Sequence, residues 1–269
     1  MIEQQSSPGL AVVTGAAGGM GSAVAARLCA QGWRLLLCDI EAGRLEETAR
    51  PLQRAGRHVE FLAGDLADPA YPARLLEALR DRQVAALIHT AGLSPTMGDA
   101  ARILAVNYDA TARLVEAVRP RMAEGGCAVL IASSSAYLLS SPEMDLALSE
   151  LKGGDDSASL LKLAPRPELA YPLSKRAIIR LVAREATAFD ERKARIVSIS
   201  PGLIDTQMSR AEQAASPQMN AMLAKTPLGR FGIADEIASV AVFLCSPGAS
   251  YVSGCDIRVD GGMLAALGR

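Results

Sequence analysis

Leu10-Ala11-Val12-Val13-Thr14 runs without a break into Gly15-Ala16-Ala17-Gly18-Gly19-Met20-Gly21, and the amphipathic stretch Met20–Gln31 follows. An apolar run of five residues, a glycine-rich turn and apolar positions at three- and four-residue spacing read as strand, turn and helix. Glycine allows the backbone to turn sharply and to come close to a pyrophosphate, because no Cβ intervenes. The unpaired amides at the start of the helix, with the positive end of its dipole, suit an anion. An ordinary glycine-rich turn would look the same in isolation, so the surrounding sequence has to decide.

Moving outward, the pattern repeats. Arg34–Asp39, His58–Leu62, Val84–His89, Ala128–Ala132, Arg195–Ile199 and Asp256–Val259 all read as strands. Helical spacing recurs in Leu45–Ala55, Ala73–Arg80 and Asp235–Leu244. Such alternation predicts an α/β fold: a doubly wound parallel sheet, Rossmann-like, of about seven strands with helices on both faces. Half the residues are hydrophobic but only 4% are aromatic, so Ala, Val, Leu and Ile have to fill the core. That suits strands buried on both faces. No linker divides the chain, and residues 1–269 read as a single domain. Two segments break the rhythm: an insertion at Pro142–Pro167 and a Met- and Ala-rich stretch at Thr206–Pro227. Both are candidates to cover a substrate, since long irregular segments in a domain usually serve function.

Charge excludes several classes. Twenty-eight basic residues face 29 acidic ones, scattered along the chain, so neither nucleic acid nor an anionic membrane is an expected partner. Met1–Pro8 is polar and does not read as a signal peptide, and the apolar runs are too short to span a bilayer. The five cysteines form no CxxC pair and read as free thiols in a reducing cytoplasm. With only His58 and His89 present, no metal site is expected.

The second strand ends in Asp39, 18 residues beyond Gly21. A carboxylate there accepts hydrogen bonds from the adenosine ribose hydroxyls and repels a 2′-phosphate, which points to NAD as cofactor. Neither Ala16 nor Ala17 supplies a cation for that phosphate. Arg44 is near in sequence and reads as a solvated helix residue.

Farther on, Tyr171-Pro172-Leu173-Ser174-Lys175 opens an amphipathic stretch reaching about Phe189. Residues four apart share a helix face, so Tyr171 and Lys175 lie side by side. A phenol with a pKa near 10 is a poor base at neutral pH, and a neighbouring ammonium favours its phenolate. Tyr171 can then exchange a proton with an alcohol or ketone oxygen. A partly buried tyrosine beside a snorkelling lysine is the plainer alternative. Ser133-Ser134-Ser135 ends the fifth strand, where a hydroxyl points into the ligand crevice of a parallel sheet. It could hydrogen-bond the substrate oxygen as hydride moves.

Thr14, Gly15, Gly19 and Gly21, in the spacing Thr-Gly-x-x-x-Gly-x-Gly, resemble the fingerprint of the short-chain dehydrogenases/reductases. The likeness continues in order along the chain. It implies Gly15, Ala17, Gly19, Met20, Gly21, Asp39 and Ile40 around the pyrophosphate and ribose, and Asp65 and Leu66 against the adenine. Ala91 and Gly92 match the end of the family's Asn-Asn-Ala-Gly motif, although His89 and Thr90 replace both asparagines. Catalytic roles carry over to Asn107, Ser133, Tyr171 and Lys175, with Ser134 as the alternative if the strand slips by one. In the family an asparagine at Asn107 interrupts a helix and holds a water that relays protons to the lysine. An unremarkable helix asparagine is the other reading. Pro201, Gly202, Ile204 and Thr206 match the turn that grips the nicotinamide carboxamide.

Ser133 and Tyr171 lie 38 residues apart because of the 142–167 insertion, a feature similar to bacterial hydroxysteroid dehydrogenase/carbonyl reductases. The insertion reads equally as an amphipathic helix pair packed on the body or a partner subunit, or as one wall of an apolar pocket. Met208, Met219, Met222 and Leu223 suit an adaptable lid or core filling. The expected substrate is a hydrophobic secondary alcohol or ketone, cyclic or steroid-like, turned over by a homodimer or homotetramer. A catalytically idle NAD(H)-binding sensor or scaffold is the competing reading.

Overall fold

The computed structural model describes residues 9–139, 141–210 and 218–269. Its strands are β1 (Leu10–Thr14), β2 (Arg34–Asp39), β3 (Val59–Ala63), β4 (Val84–His89), β5 (Met122–Ile131), β6 (Arg195–Pro201), the two-residue pair β7 (Ile204–Asp205) and β8 (Gly232–Ile233), and β9 (Asp256–Val259). Seven of them form one parallel sheet in the order β3-β2-β1-β4-β5-β6-β9. The order reverses between β1 and β4, and a crevice opens there beyond the carboxyl ends of the strands.

The apolar runs are continuous because both faces are covered. On β1, Leu10 and Val12 join one buried cluster while Ala11 and Val13 join the other. The second cluster is closed by α1 (Gly19–Ala30), α2 (Ala42–Arg54) and a helix near the C-terminus, Ala234–Leu244. The first is closed by α3 (Tyr71–Leu79), α4 (Ala100–Leu104), α5 (Ala110–Val118) and the long α8 (Pro167–Asp190). With both faces apolar, side-chain alternation cannot set the register of β1. Backbone bonds at its two ends do so: Arg34 N–H donates to Gly9 O (3.1 Å) and Thr90 N–H to Thr14 O (3.1 Å).

Several boundaries differ from the sequence reading. β3 lies one residue later than 58–62, and β5 begins at Met122 rather than Ala128, with an irregularity in its pairing with β4 between Met122 and Cys127. The insertion folds into α6 (Pro142–Ser149) and α7 (Ser157–Leu163). Leu148, Leu151 and Leu160 from it are buried in the same cluster as Leu173 and Ile178. The insertion therefore packs on the body as a helix pair. α8 starts at Pro167, four residues before Tyr171, because proline fits the first helical position and Glu168 favours the positive end of the dipole. Of the Thr206–Pro227 segment, residues 211–217 lie outside the described residues; Met222 and Leu223 sit half-buried on α9 (Gln218–Ala224). The helices Ala234–Leu244 and Met263–Ala266 complete the chain as α10 and α11. Among the described residues, no helix is long and apolar enough to cross a membrane.

Candidate active site

At two positions of the turn, Gly15 and Gly21, only glycine fits. Gly15 has φ +67°, and a Cβ there would stand 2.6 Å from the Ala91 amide nitrogen. At Gly21 a Cβ would overlap the Gly15 carbonyl oxygen. Gly18 N–H donates to Gly15 O at 3.0 Å, which closes the turn onto α1. The first turn of α1 has neither a side-chain cap nor an acidic residue, so the amides around Gly19, Met20 and Gly21 are open to an anion. Thr206, beyond β7, lies 3.2 Å from the space above Gly19, which brings the two loops to one place. A cradle that a Cβ at Gly15 or Gly21 would block, set on an uncapped helix start, fits a dinucleotide pyrophosphate.

Beside it, Asp39 accepts a hydrogen bond from Ala17 N–H (2.9 Å) and Ile40 is exposed. Arg44 is exposed on α2, and it also reaches this turn. Its Nη2 donates to Ala17 O at 3.0 Å, so a carboxylate and a guanidinium converge on the same turn residue. Asp65 accepts from Ala67 N–H (2.9 Å) and from Arg102 Nη2 (2.5 Å). Burial works against its ionised form, yet those two donors hold its carboxyl below the ordinary range. Leu66 packs at the edge of the adjoining cluster. Arg102 had no signal in the sequence, because its contact is made across 37 residues.

The chemical end lies across the switch point. Tyr171 and Lys175 are one turn apart on α8, with Lys175 Nζ 5.8 Å from the centre of the Tyr171 ring. The Lys175 side chain is buried, and its Nζ donates to Ile131 O, the last residue of β5, at 2.9 Å. Burial lowers its pKa to about 8, so it stays cationic at neutral pH. Ser133 follows β5 and is half-exposed, its Oγ accepting from Ser135 N–H (3.2 Å) and Ser135 Oγ (3.0 Å). Ser134 is buried beside it, so the two candidate hydroxyls differ in exposure.

Asn107 sits in a π turn, Ala105–Asp109, between α4 and α5. Its Oδ1 accepts from Leu93 N–H (2.7 Å), while its Nδ2 donates to Leu93 O (3.0 Å) and Ser174 Oγ (3.1 Å). The space a Gly92 Cβ would fill is 3.2 Å from both Asn107 Oδ1 and Lys175 Nζ. A side chain at Gly92 would wedge between these two groups. Gly202 is packed against Asp260, Pro201 and Ile204 are buried, and Thr206 is held by Ser209 (N–H to Oγ, 2.9 Å).

Sequence reasoning left His89 without a role. The structure buries it in a chain of hydroxyls: Nδ1 lies 2.6 Å from Thr14 Oγ1 and Nε2 2.8 Å from Thr111 Oγ1. Thr111 donates its only hydroxyl proton to Asn107 O (2.7 Å). His89 Nε2 must therefore carry the proton, and Nδ1 accepts from Thr14. Burial, reinforced by the Lys175 charge, lowers the His89 pKa to about 3. Among the described residues, no group of three or more His, Cys, Asp or Glu could hold a metal ion.

Comparison with known proteins agrees with this geometry. Residues 9–144 match the family model described as short chain dehydrogenase, and residues 156–264 match the one described as Enoyl-(Acyl carrier protein) reductase. The chain is 33% identical to the short-chain dehydrogenase/reductase bsc3 of Alternaria brassicicola, over 94% of this chain and 95% of that one. It is 31% identical to the 3-alpha-hydroxysteroid dehydrogenase/carbonyl reductase of Comamonas testosteroni, over 95% and 96%. The crystal structure of the 3-alpha-hydroxysteroid dehydrogenase from Pseudomonas sp. B-0831, complexed with NADH, superposes with a TM-score of 0.78 at 25% identity, covering 96% of this chain and 98% of that one.

Proposed function

Because this chain belongs to the short-chain dehydrogenase/reductase family, we propose that it is an NAD(H)-dependent oxidoreductase interconverting a secondary alcohol and a ketone on a hydrophobic, cyclic or steroid-like substrate. The observation that carries this reading is the buried Lys175 ammonium, anchored on Ile131 O and 5.8 Å from the Tyr171 ring at the carboxyl end of β5. The nicotinamide, when bound, accepts or supplies the hydride. Tyr171 Oη takes the hydroxyl proton during oxidation and returns it to the carbonyl oxygen during reduction. The Lys175 charge favours the phenolate form of its neighbour, and Ser133 Oγ donates to the substrate oxygen. Asn107, a neighbour of Lys175 at Gly92, stands where it can help to return the proton to solvent.

Asp39 supports NAD over NADP, since its carboxylate would repel a 2′-phosphate; the Arg44 guanidinium on Ala17 O softens that preference. The apolar insertion and the half-buried Met222 and Leu223 of α9 support a bulky apolar substrate, walled by the one and covered by the other. Four of the five free thiols are buried, which suits a cytoplasmic protein, and exposed Phe243 and Tyr251 suit a homodimer or homotetramer. Residues 1–269 act, on this reading, as one domain.

The test is absorbance at 340 nm with cyclic and steroid alcohols and either NAD or NADP. Tyr171→Phe is expected to bind NADH normally and to lose turnover by about 10²–10⁴-fold. Activity retained in that variant would sink the acid–base assignment.

A further inference from the structure

The π turn that holds Asn107 has a second set of ties on its far side. Asp109, the last residue of the turn, is buried, and its carboxylate accepts from the amides that open α7: Asp156 N–H at 3.0 Å and Ser157 N–H at 3.1 Å. Burial pushes the Asp109 carboxyl up, while bonds from Ser157 and Asp156 and the charge of Arg113 pull it back. Asp156 in turn accepts from Lys152 N–H (3.0 Å) and Gly153 N–H (2.6 Å), and Tyr108 Oη lies 3.5 Å away. Arg113, on the helix that follows the turn, reaches back to Gly154 O (2.5 Å). The Asp109, Tyr108 and Arg113 contacts join the turn or its continuation to the insertion, and the Lys152 and Gly153 bonds fix Asp156 within it.

A π turn is intrinsically less stable than the α-helix around it and persists where tertiary contacts hold it. If this one relaxed to α-helical turns, one residue would leave the bulge. Asn107 would then rotate by about 100° relative to α5, since each residue of an α-helix advances by that angle. The Leu93 and Ser174 bonds hold Asn107 from the crevice side, and the Thr111 hydroxyl holds its carbonyl. The insertion holds the turn at Asp109, on its other side.

We propose that Asp109 is a positioning residue, and that the 142–167 insertion, fixed to it through the α7 amides, keeps the π turn formed and Asn107 beside Lys175. This rests on the oxidoreductase reading for its consequence in turnover, but not for the coupling itself. Asp109→Ala removes the acceptor. Ser157→Pro removes one donor without touching Asp109, and it also pushes Asp156, at ψ −8°, out of the α region, so it loosens the same tie from the insertion side. Asp109→Asn keeps an oxygen that can accept.

Hydrogen exchange read by mass spectrometry, together with steady-state kinetics at 25 °C, tests this. Residues 105–111 are expected to exchange at least tenfold faster in Asp109→Ala and Ser157→Pro. In the same variants kcat falls at least tenfold while KM and the Kd for NADH stay within about twofold, and Asp109→Asn restores most of both. Faster exchange confined to α7, with 105–111 unchanged, would overturn the proposal. So would a raised KM at unchanged kcat, which would make the insertion a substrate wall alone. If instead Tyr171→Phe kept full turnover, the functional reading would fall, and the exchange data would still decide the coupling.

Discussion

Replacing His89 by Asn should make the protein markedly less sensitive to acid. His89 is buried between Thr14 and Thr111, and its pKa falls from 6.5 to about 3 on folding. A base whose folded value is depressed binds fewer protons in the native state than in the unfolded one. Stability is therefore unaffected well above pH 6.5 and declines as pH falls from about 6.5 towards 3. At pH 4.5 the unfolded histidine is two units below its own pKa while the folded one is still neutral. The loss is then about 2.7 kcal/mol, from roughly 1.36 kcal/mol per unit. Because pH 4.5 lies above the folded value, this size depends on the unfolded pKa and hardly on how far burial lowers the other. The variant loses that contribution. Its Oδ1 can replace Nδ1 as the acceptor for Thr14, while the Thr111 hydroxyl loses its Nε2 donor, at a pH-independent cost of about 1 kcal/mol. Urea unfolding followed through the fluorescence of Trp33, the only tryptophan and a buried one, measures both. From pH 7.5 to 4.5 the wild-type protein should lose about 2.7 kcal/mol more than His89→Asn. Parallel pH profiles for the two proteins, offset or not, would refute the argument.

Two further outcomes concern the cofactor end. In Gly21→Ala the new Cβ meets the Gly15 carbonyl, which is backbone and cannot swing away, so the turn must distort. NADH affinity should drop at least tenfold, or about 1.4 kcal/mol, in a fluorescence titration, and an unchanged Kd would contradict the cradle. Asp39→Ala should raise the ratio of NADP to NAD kcat/KM at least tenfold by removing the repulsive carboxylate. Adding Arg44→Ala should reverse much of that gain, since the guanidinium on Ala17 O is then missing; a ratio indifferent to both changes would move cofactor choice elsewhere.

What the sequence determined by itself was local and repetitive. Apolar runs of four to six residues and helical spacing around the glycine turn were enough for seven parallel strands, because a strand buried on both faces must be apolar throughout. Tyr171 and Lys175 could be paired in advance because four residues of helix bring them together whatever else the chain does. Ser133 and Ser134 look alike in the sequence, and their different exposure, one half-buried and one buried, follows only from how the end of β5 packs. The remaining contacts were decided only by the tertiary structure. His89 meets Thr14 across 75 residues and Thr111 across 22, and Asp65 meets Arg102 across 37. Asp109 caps the insertion 48 residues away, at Ser157. Periodicity carries no information about such pairs. A histidine, an aspartate or an arginine in a helical or strand run looks the same whether it faces solvent or a partner from another part of the chain. Only packing the strands side by side removes water from His89 and Asp109, and with water gone each polar atom has to find its partner inside the protein.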